Sequence, residues 1–214
     1  MNRAARAIRA AAAVAAAVAL LAVAGCASGL RSGAEPTVTY ALRAAPVAGS
    51  AKLLDVAVRV DRAVPAPGFA SERILVVRED RRLDHYSGSR WPEMLPDVVT
   101  ALAIETLRGS AALTAVHDQR APFTSDYLLL ITIRHFEADA SGGGAPQVRV
   151  ALECTLGRRD DRVVIATFTA AGGASASANR MSAVIAAYEA ATQQALAVLS
   201  TRTLEALTLD TSTN

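Results

Sequence analysis

The chain has 214 residues, 22 Lys+Arg against 20 Asp+Glu and a formal net charge of +2; its 52% apolar content rests largely on 48 alanines, with aromatics at only 4%. Apolar content this high excludes a disordered tail, two cysteines exclude a disulfide scaffold, and a single long apolar run excludes a multi-span membrane protein. The length suits one domain.

The first elements belong to export. Arg3, Arg6 and Arg9 precede an uncharged run from Ala10 to Ala24, and Gly25-Cys26 follows. A positive n-region, an apolar core and small residues before a cysteine form a bacterial secretory leader. A permanent span needs about 20 strongly apolar residues, which this alanine-rich run does not supply. Val23-Ala24-Gly25-Cys26 resembles a lipobox, with Val23 where Leu is commonest. The motif implies residues 1–25 as a signal peptide, a thioether diacylglycerol on Cys26, and acylation of the new amine by a chain such as palmitate. Two or more acyl chains anchor stably, since each buried CH₂ contributes about 0.8 kcal/mol. Ala27 and Ser28 follow the cysteine where an Asp would mark retention at the inner membrane, so the expected location is the periplasmic face of the outer membrane. The competing reading is an ordinary signal peptide cut nearby, with Cys26 incidental. Without residues 1–25 the side chains are 19 cationic against 20 anionic, because Arg3, Arg6 and Arg9 leave and no acid does. The basic balance therefore reports the leader, not a nucleic-acid surface.

Residues 26–36 read as a flexible tether rich in Gly, Ser and Ala, residues 37–209 as the folded domain, and residues 210–214 as a polar tail. Thr37 to Leu42 alternates as a strand does, and Leu53 to Val60 places Val56, Val58 and Val60 on one face. Pro65-Ala66-Pro67-Gly68 breaks the chain. Ile74 to Arg78 is apolar on both faces, as in a central strand. Arg82 to Tyr86 follows a polar turn at Glu79-Asp80-Arg81. Pro92 to Gly109 reads as the first helix, with proline in its first turn, Leu95, Val98, Val99 and Leu102 at helical spacing, and Gly109 just past its end. Leu113 to Val116 is a short strand. Tyr127 to Phe136, Gln147 to Leu156 and Arg162 to Ala170 form an antiparallel meander around loops at Ser141–Pro146 and Arg158–Asp161. Ala171 to Ala178 reads as an Ala/Gly/Ser loop. A long helix follows from Asn179 to about Leu207, rich in alanine, the strongest helix former.

Residue chemistry points away from catalysis. His85, His117 and His135 stand on separate segments without metal-ligand spacing, and no P-loop or dinucleotide fingerprint occurs, so neither a metal nor a cofactor is expected. Tyr86-Ser87-Gly88-Ser89-Arg90 is not a nucleophile elbow. Asp80, Asp84, Glu93 and Asp97 read as solvated turns and a helix N-terminus rather than a cleft of acids. Cys154 sits in an alternating strand and reads as a buried, inert thiol. Arg158, Arg159 and Arg162 mix with Asp160 and Asp161 on a hairpin tip and form no nucleic-acid patch. Trp91, the only tryptophan, fits either the core at the start of the first helix or a partner-facing rim. Arg90 beside it should pair with a carboxylate or a carbonyl.

The chain resembles the ABC-type transport auxiliary lipoproteins, the PqiC/YmbA-like group associated with MCE-type lipid transport systems. The likeness runs from Tyr40 to Leu207. It is carried by Tyr40-Ala41-Leu42, Val56-Ala57-Val58, Ser71 to Arg78, Leu83-Asp84-His85-Tyr86 and Ser89-Arg90-Trp91-Pro92-Glu93-Met94-Leu95. In the family, an Arg-Trp pair, a small residue, an acid and an apolar pair open the first helix; here Pro92 stands where Ala is commoner. The resemblance implies an α/β (α+β) fold with a mostly antiparallel sheet and two packed helices, similar to the TolB amino-terminal domain. It also implies a non-enzymatic accessory of phospholipid or sterol-like lipid traffic, with an MCE protein and an ABC permease and ATPase as partners. Self-association into a homo-oligomer is left open. Two other readings compete: an envelope-biogenesis or secretion-system adaptor on a similar fold, and a lipid-modifying hydrolase.

Overall fold

The computed structural model describes residues 36–46 and 53–213. The leader, Cys26 and nearly all of the tether lie outside the described residues. In chain order the elements are β1 (Val38–Thr39), β2 (Leu54–Val60), β3 (Val64–Pro65), β4 (Arg73–Val77), β5 (Leu83–Arg90), α1 (Leu95–Gly109), β6 (Leu113–Asp118), β7 (Tyr127–Asp139), β8 (Gln147–Arg158), β9 (Val164–Ser175) and α2 (Met181–Thr213).

The spine is β7, 13 residues long. One of its edges is paired with antiparallel β8 from Tyr127↔Arg158 to Asp139↔Gln147, and β8 pairs in turn with β9. Its other edge takes three shorter strands in succession, all parallel to it: β2 beside Tyr127–Leu129, β3 beside Thr132–Ile133, and β4 beside Ala138–Asp139. Outside β2 lies parallel β6; outside β4 lie antiparallel β5 and then β1. The sheet is thus mostly antiparallel in its long ladders, with short parallel pairings along one side. A parallel neighbour needs a crossover. For β2 and β6 the connection between them contains α1.

A bulge between Ile133 and His135 in β7 reverses the alternation of that strand. Tyr127, Leu129, Ile131 and Ile133 are buried before it, Phe136 and Ala138 after it. One extra residue does this because the side-chain period of a strand is two. The bulge also lies beside the gap between β3 and β4. Just past it, one Glu137 carboxylate oxygen accepts the Phe136 backbone N–H at 2.8 Å, and the other meets Arg149 Nη2 at 2.7 Å and His135 Nδ1 at 3.0 Å. Its side chain is 3% exposed, and a buried carboxylate needs such partners.

Helix α1 begins later than expected, at Leu95. No side chain caps it; the Leu95 N–H donates to the Ser71 carbonyl at 3.0 Å, so tertiary structure satisfies an end the sequence leaves open. Gly109 is inside the helix rather than past it. Ser110 is the cap residue, and Ala111 takes the left-handed conformation at φ 50°.

Two expectations need correction near the C-terminus. Ala171–Ala178 is not a loop: β9 continues to Ser175. Its small residues make room for α2. A Cβ on Gly172 would collide with the Ala191 carbonyl oxygen and would lie 2.8 Å from Gln194 Cβ and 2.9 Å from Ala195 N. The facing surface of α2 is equally small, with Ala183, Ala187, Ala191 and Ala195 all buried. The segment expected as a polar tail is helical through Thr213. Asp210 holds it down, accepting from the Tyr127 hydroxyl at 2.8 Å and from Arg158 Nη1 at 2.9 Å. Burial, with the Asp210 hydrogen bond next, pushes the Tyr127 phenol up to about 12.

Candidate functional site

The Arg90-Trp91 pair sits where β5 hands over to α1, and the two side chains part company there. Trp91 is 1% exposed. Its ring meets Phe136 edge-on (centroids 5.9 Å apart, 83°) and Tyr188 edge-on (5.2 Å, 79°). Phe136 belongs to β7 and Tyr188 to α2, so one indole joins the sheet to the long helix. The Tyr188 hydroxyl donates to the Leu75 carbonyl at 2.6 Å, which satisfies its polar end inside the core. Arg90 faces solvent at half exposure, donating from Nη1 to Glu72 at 2.9 Å and from Nε to the Thr39 hydroxyl at 3.3 Å. Glu72 is paired from both ends, because its backbone carbonyl accepts the Trp91 N–H at 2.8 Å. Of the two roles the sequence allowed Trp91, the geometry places it in the core; the pair organises a junction.

A strap crosses this junction. Tyr40 donates its N–H to the Arg90 carbonyl at 2.9 Å. Leu42 and Ala45 are buried, Arg43 pairs with Glu189 of α2 at 2.7 Å, and the Ala45 N–H donates to Thr106 of α1 at 3.3 Å. The sequence marked a strand here, but only Val38–Thr39 pairs; the rest is spent on helix contacts. Beside the strap is an open hollow of about 550 Å³ whose lining includes Leu42, Pro92, Asp97 and Arg120. A second groove, of about 490 Å³, runs between β9 and the end of α2, with Val164, Phe168, Arg202 and Leu209 in its walls.

The candidate chemical groups are dispersed. Among the described residues no group of three or more His, Cys, Asp or Glu could hold a metal ion. His85 lies beside Asp84, His135 beside Glu137, and His117 beside Phe123. Cys154 is buried, and desolvation pushes its thiol up to about 12, so it stays a thiol rather than a nucleophilic thiolate. The carboxyls of Asp84, Asp97, Asp139 and Asp161 are held below the usual range by hydrogen bonds, first from the His85 backbone, Arg62, Ser141 and Arg158 respectively. Each is a charged structural partner at neutral pH. The Arg62–Asp97 pair is two-pronged, at 2.6 and 2.8 Å. Neither it nor the buried Glu137 was visible in the sequence: Arg62 and Asp97 lie 35 residues apart, and Glu137 meets Arg149 through the pairing of β7 with β8.

The fold has solved counterparts. A Xanthomonas campestris protein, XCC0632, assigned to DUF330, is 26% identical over 82% of this chain and 99% of its own, with a TM-score of 0.75. An uncharacterised protein at 12% identity shares the fold over 79% of this chain and 99% of its own, with a TM-score of 0.63. No curated protein matches the chain. Residues 40–200, from the strap through most of α2, match the sequence pattern of the ABC-type transport auxiliary lipoprotein component. The chain is a member of that family.

Proposed function

We propose that this lipoprotein is the outer-membrane end of an MCE/ABC-type lipid transport system, a non-catalytic adaptor tethered through acylated Cys26 on the periplasmic face. The observation that carries the reading is the family match over residues 40–200 in one chain with the Arg3–Cys26 export signal. The strap after Thr37 suits such a role, because Arg43 and Ala45 tie the start of the domain to both helices. Energy for transport comes from a separate ATPase, and the adaptor receives or delivers phospholipid or sterol-like cargo at the bilayer. Purification of the acylated chain from detergent-solubilised envelopes after crosslinking should bring down the MCE protein and the permease. Cys26→Ala should remove the chain from the outer-membrane fraction. Recovery without any MCE or permease component, together with unchanged lipid traffic in a deletion strain, would refute the reading.

A further inference from the structure

Strand β9 closes one side of the sheet and pairs only with β8. Its register fixes which of its backbone groups are already used. The Ala176 N–H donates to the Pro146 carbonyl, so alternate residues from Ala174 back to Phe168 bond to β8, while Gly173, Ala171, Thr169 and Thr167 turn their N–H and C=O groups outward. Gly173 shows the direction: its N–H donates to Gln194 Oε1 of α2 at 3.1 Å. The outward groups of Ala171, Thr169 and Thr167 have no partner among the described residues, and all three residues are exposed.

Open edges in natural sheets are blunted by shortness, charge or proline. Strand β1 is two residues long, and β6 ends on Asp118. Strand β9 has 12 residues, and neither a charged residue nor a proline occurs from Val163 to Asn179. Alternating free donors and acceptors along an edge are met in full by another extended backbone.

The free row also says whose backbone fits. Gln194 plugs it at Gly173, and a bulge ends it on the other side, where Leu156 faces Ala166, Gly157 faces Val164, and Ile165 is left over. Thr169 is the midpoint. An antiparallel ladder has two-fold symmetry about such a point. A second β9 laid against the first sets Thr169 opposite Thr169 and Thr167 opposite Ala171, each pair exchanging backbone bonds, and the ladder stops where Gly173 meets Ile165. The side chains agree in size. Phe168 falls opposite Ala170 on the helix side and Thr167 opposite Ala171 on the exposed face, while Thr169 meets its own copy in a favourable threonine pair. Because the segment is uncharged, pairing it with itself sets no like charges opposite each other.

We propose that this edge is a homodimer interface, with two copies of the chain joined β9 to β9 across a two-fold axis at Thr169 into one continuous sheet. The full chain is purified in detergent, and its mass is read by light scattering corrected for the micelle. Single-cysteine additions are then oxidised and run on non-reducing gels, with the wild type as blank because it carries the same Cys26 and Cys154. Residues directly opposite in a hydrogen-bonded antiparallel pair have Cα atoms about 5.5 Å apart, within disulfide reach. The expected results are the mass of a dimer and a disulfide dimer from Thr169→Cys alone. Thr167→Cys and Ala171→Cys each lie at least roughly 13 Å from their own copies, four residues away along the strand. Neither should crosslink by itself, and a mixture of the two should. A wild-type monomer overturns the proposal. So does an assembly of any size in which Thr169→Cys fails to crosslink, or in which positions 167, 169 and 171 crosslink alike.

Discussion

The approach of β9 to α2 at Gly172 offers a sharp test of how the fold is held together. Gly172 has an ordinary extended backbone, so alanine is conformationally acceptable there; only space forbids it. The atoms that a methyl would meet are the Ala191 carbonyl oxygen, Gln194 Cβ at 2.8 Å and Ala195 N at 2.9 Å. Two of these are backbone atoms of α2, which no rotamer change can move. The helix must withdraw by roughly 1 Å, and a gap of that size forfeits a quarter to a half of each dispersion contact along the seam. Overpacking of this kind costs about 1–3 kcal/mol. The loss of glycine's freedom in the unfolded chain returns about 0.4–1 kcal/mol. The net expectation for Gly172→Ala is a loss of about 1–2 kcal/mol, read as a lower urea midpoint at unchanged m by circular dichroism. Gly173→Ala is the matched control. Its Cβ would sit 3.6 Å from the Val148 carbonyl, an ordinary contact, so it should stay within about 0.5 kcal/mol of wild type. If Gly172→Ala is as stable as the wild type, the account of β9 as a strand kept small for α2 is wrong.

Other consequences follow from groups already described. Trp91→Ala should cost about 3–5 kcal/mol in urea unfolding, as a large aromatic removed from a packed core does, whereas Glu72→Ala should cost at most about 1 kcal/mol because its pair with Arg90 is half exposed. A partner-facing Trp91 would reverse that order. Native Cys154 should not react with an aromatic disulfide reagent until the chain is unfolded. Its folded thiol, up to about 12, lies above the usual unfolded value, so its contribution to stability is full below about pH 8.5 and is lost as pH rises toward 12. Unfolding midpoints should fall over that window, and less steeply in Cys154→Ala.

What the sequence made legible follows its strongest periodicities. The valines of β2, the apolar run of β4 and the meander β7–β8–β9 all appear where alternation places them, and Leu95, Val98, Val99 and Leu102 mark the buried face of α1. Ala171–Ala178 misled because Gly and Ala carry no pattern of their own; the reason for them is a helix that arrives from residues 191–195. The end of α2 misled for the opposite reason. Its Thr and Ser residues are poor helix formers, and an Asp210 bridge to Tyr127 and Arg158 outweighs them. At the candidate site, Arg90 and Trp91 could be picked out and a polar partner for Arg90 anticipated. Its identity as Glu72, and the split of one dipeptide between solvent and core, depend on the antiparallel pairing of β4 and β5.

That split bears on why the pair stands at this point in the chain. Any force on the tether enters the domain at Thr37 and reaches β5 within a few residues, through Val38↔Ser89, Thr39↔Arg90 and the Tyr40–Arg90 backbone bond. Surface ion pairs are weak holds; the side chain of Arg43 is 83% exposed, so its bond to Glu189 adds little. The firm hold is apolar. Leu42 and Ala45 are buried on the helix side, and Trp91, one residue past the point of attachment, is locked between Phe136 and Tyr188. A domain carried on a tether needs its attachment point tied to the core rather than to a fraying edge strand. In this fold a buried tryptophan supplies that tie, and the arginine before it closes the outer side against Glu72 and Thr39.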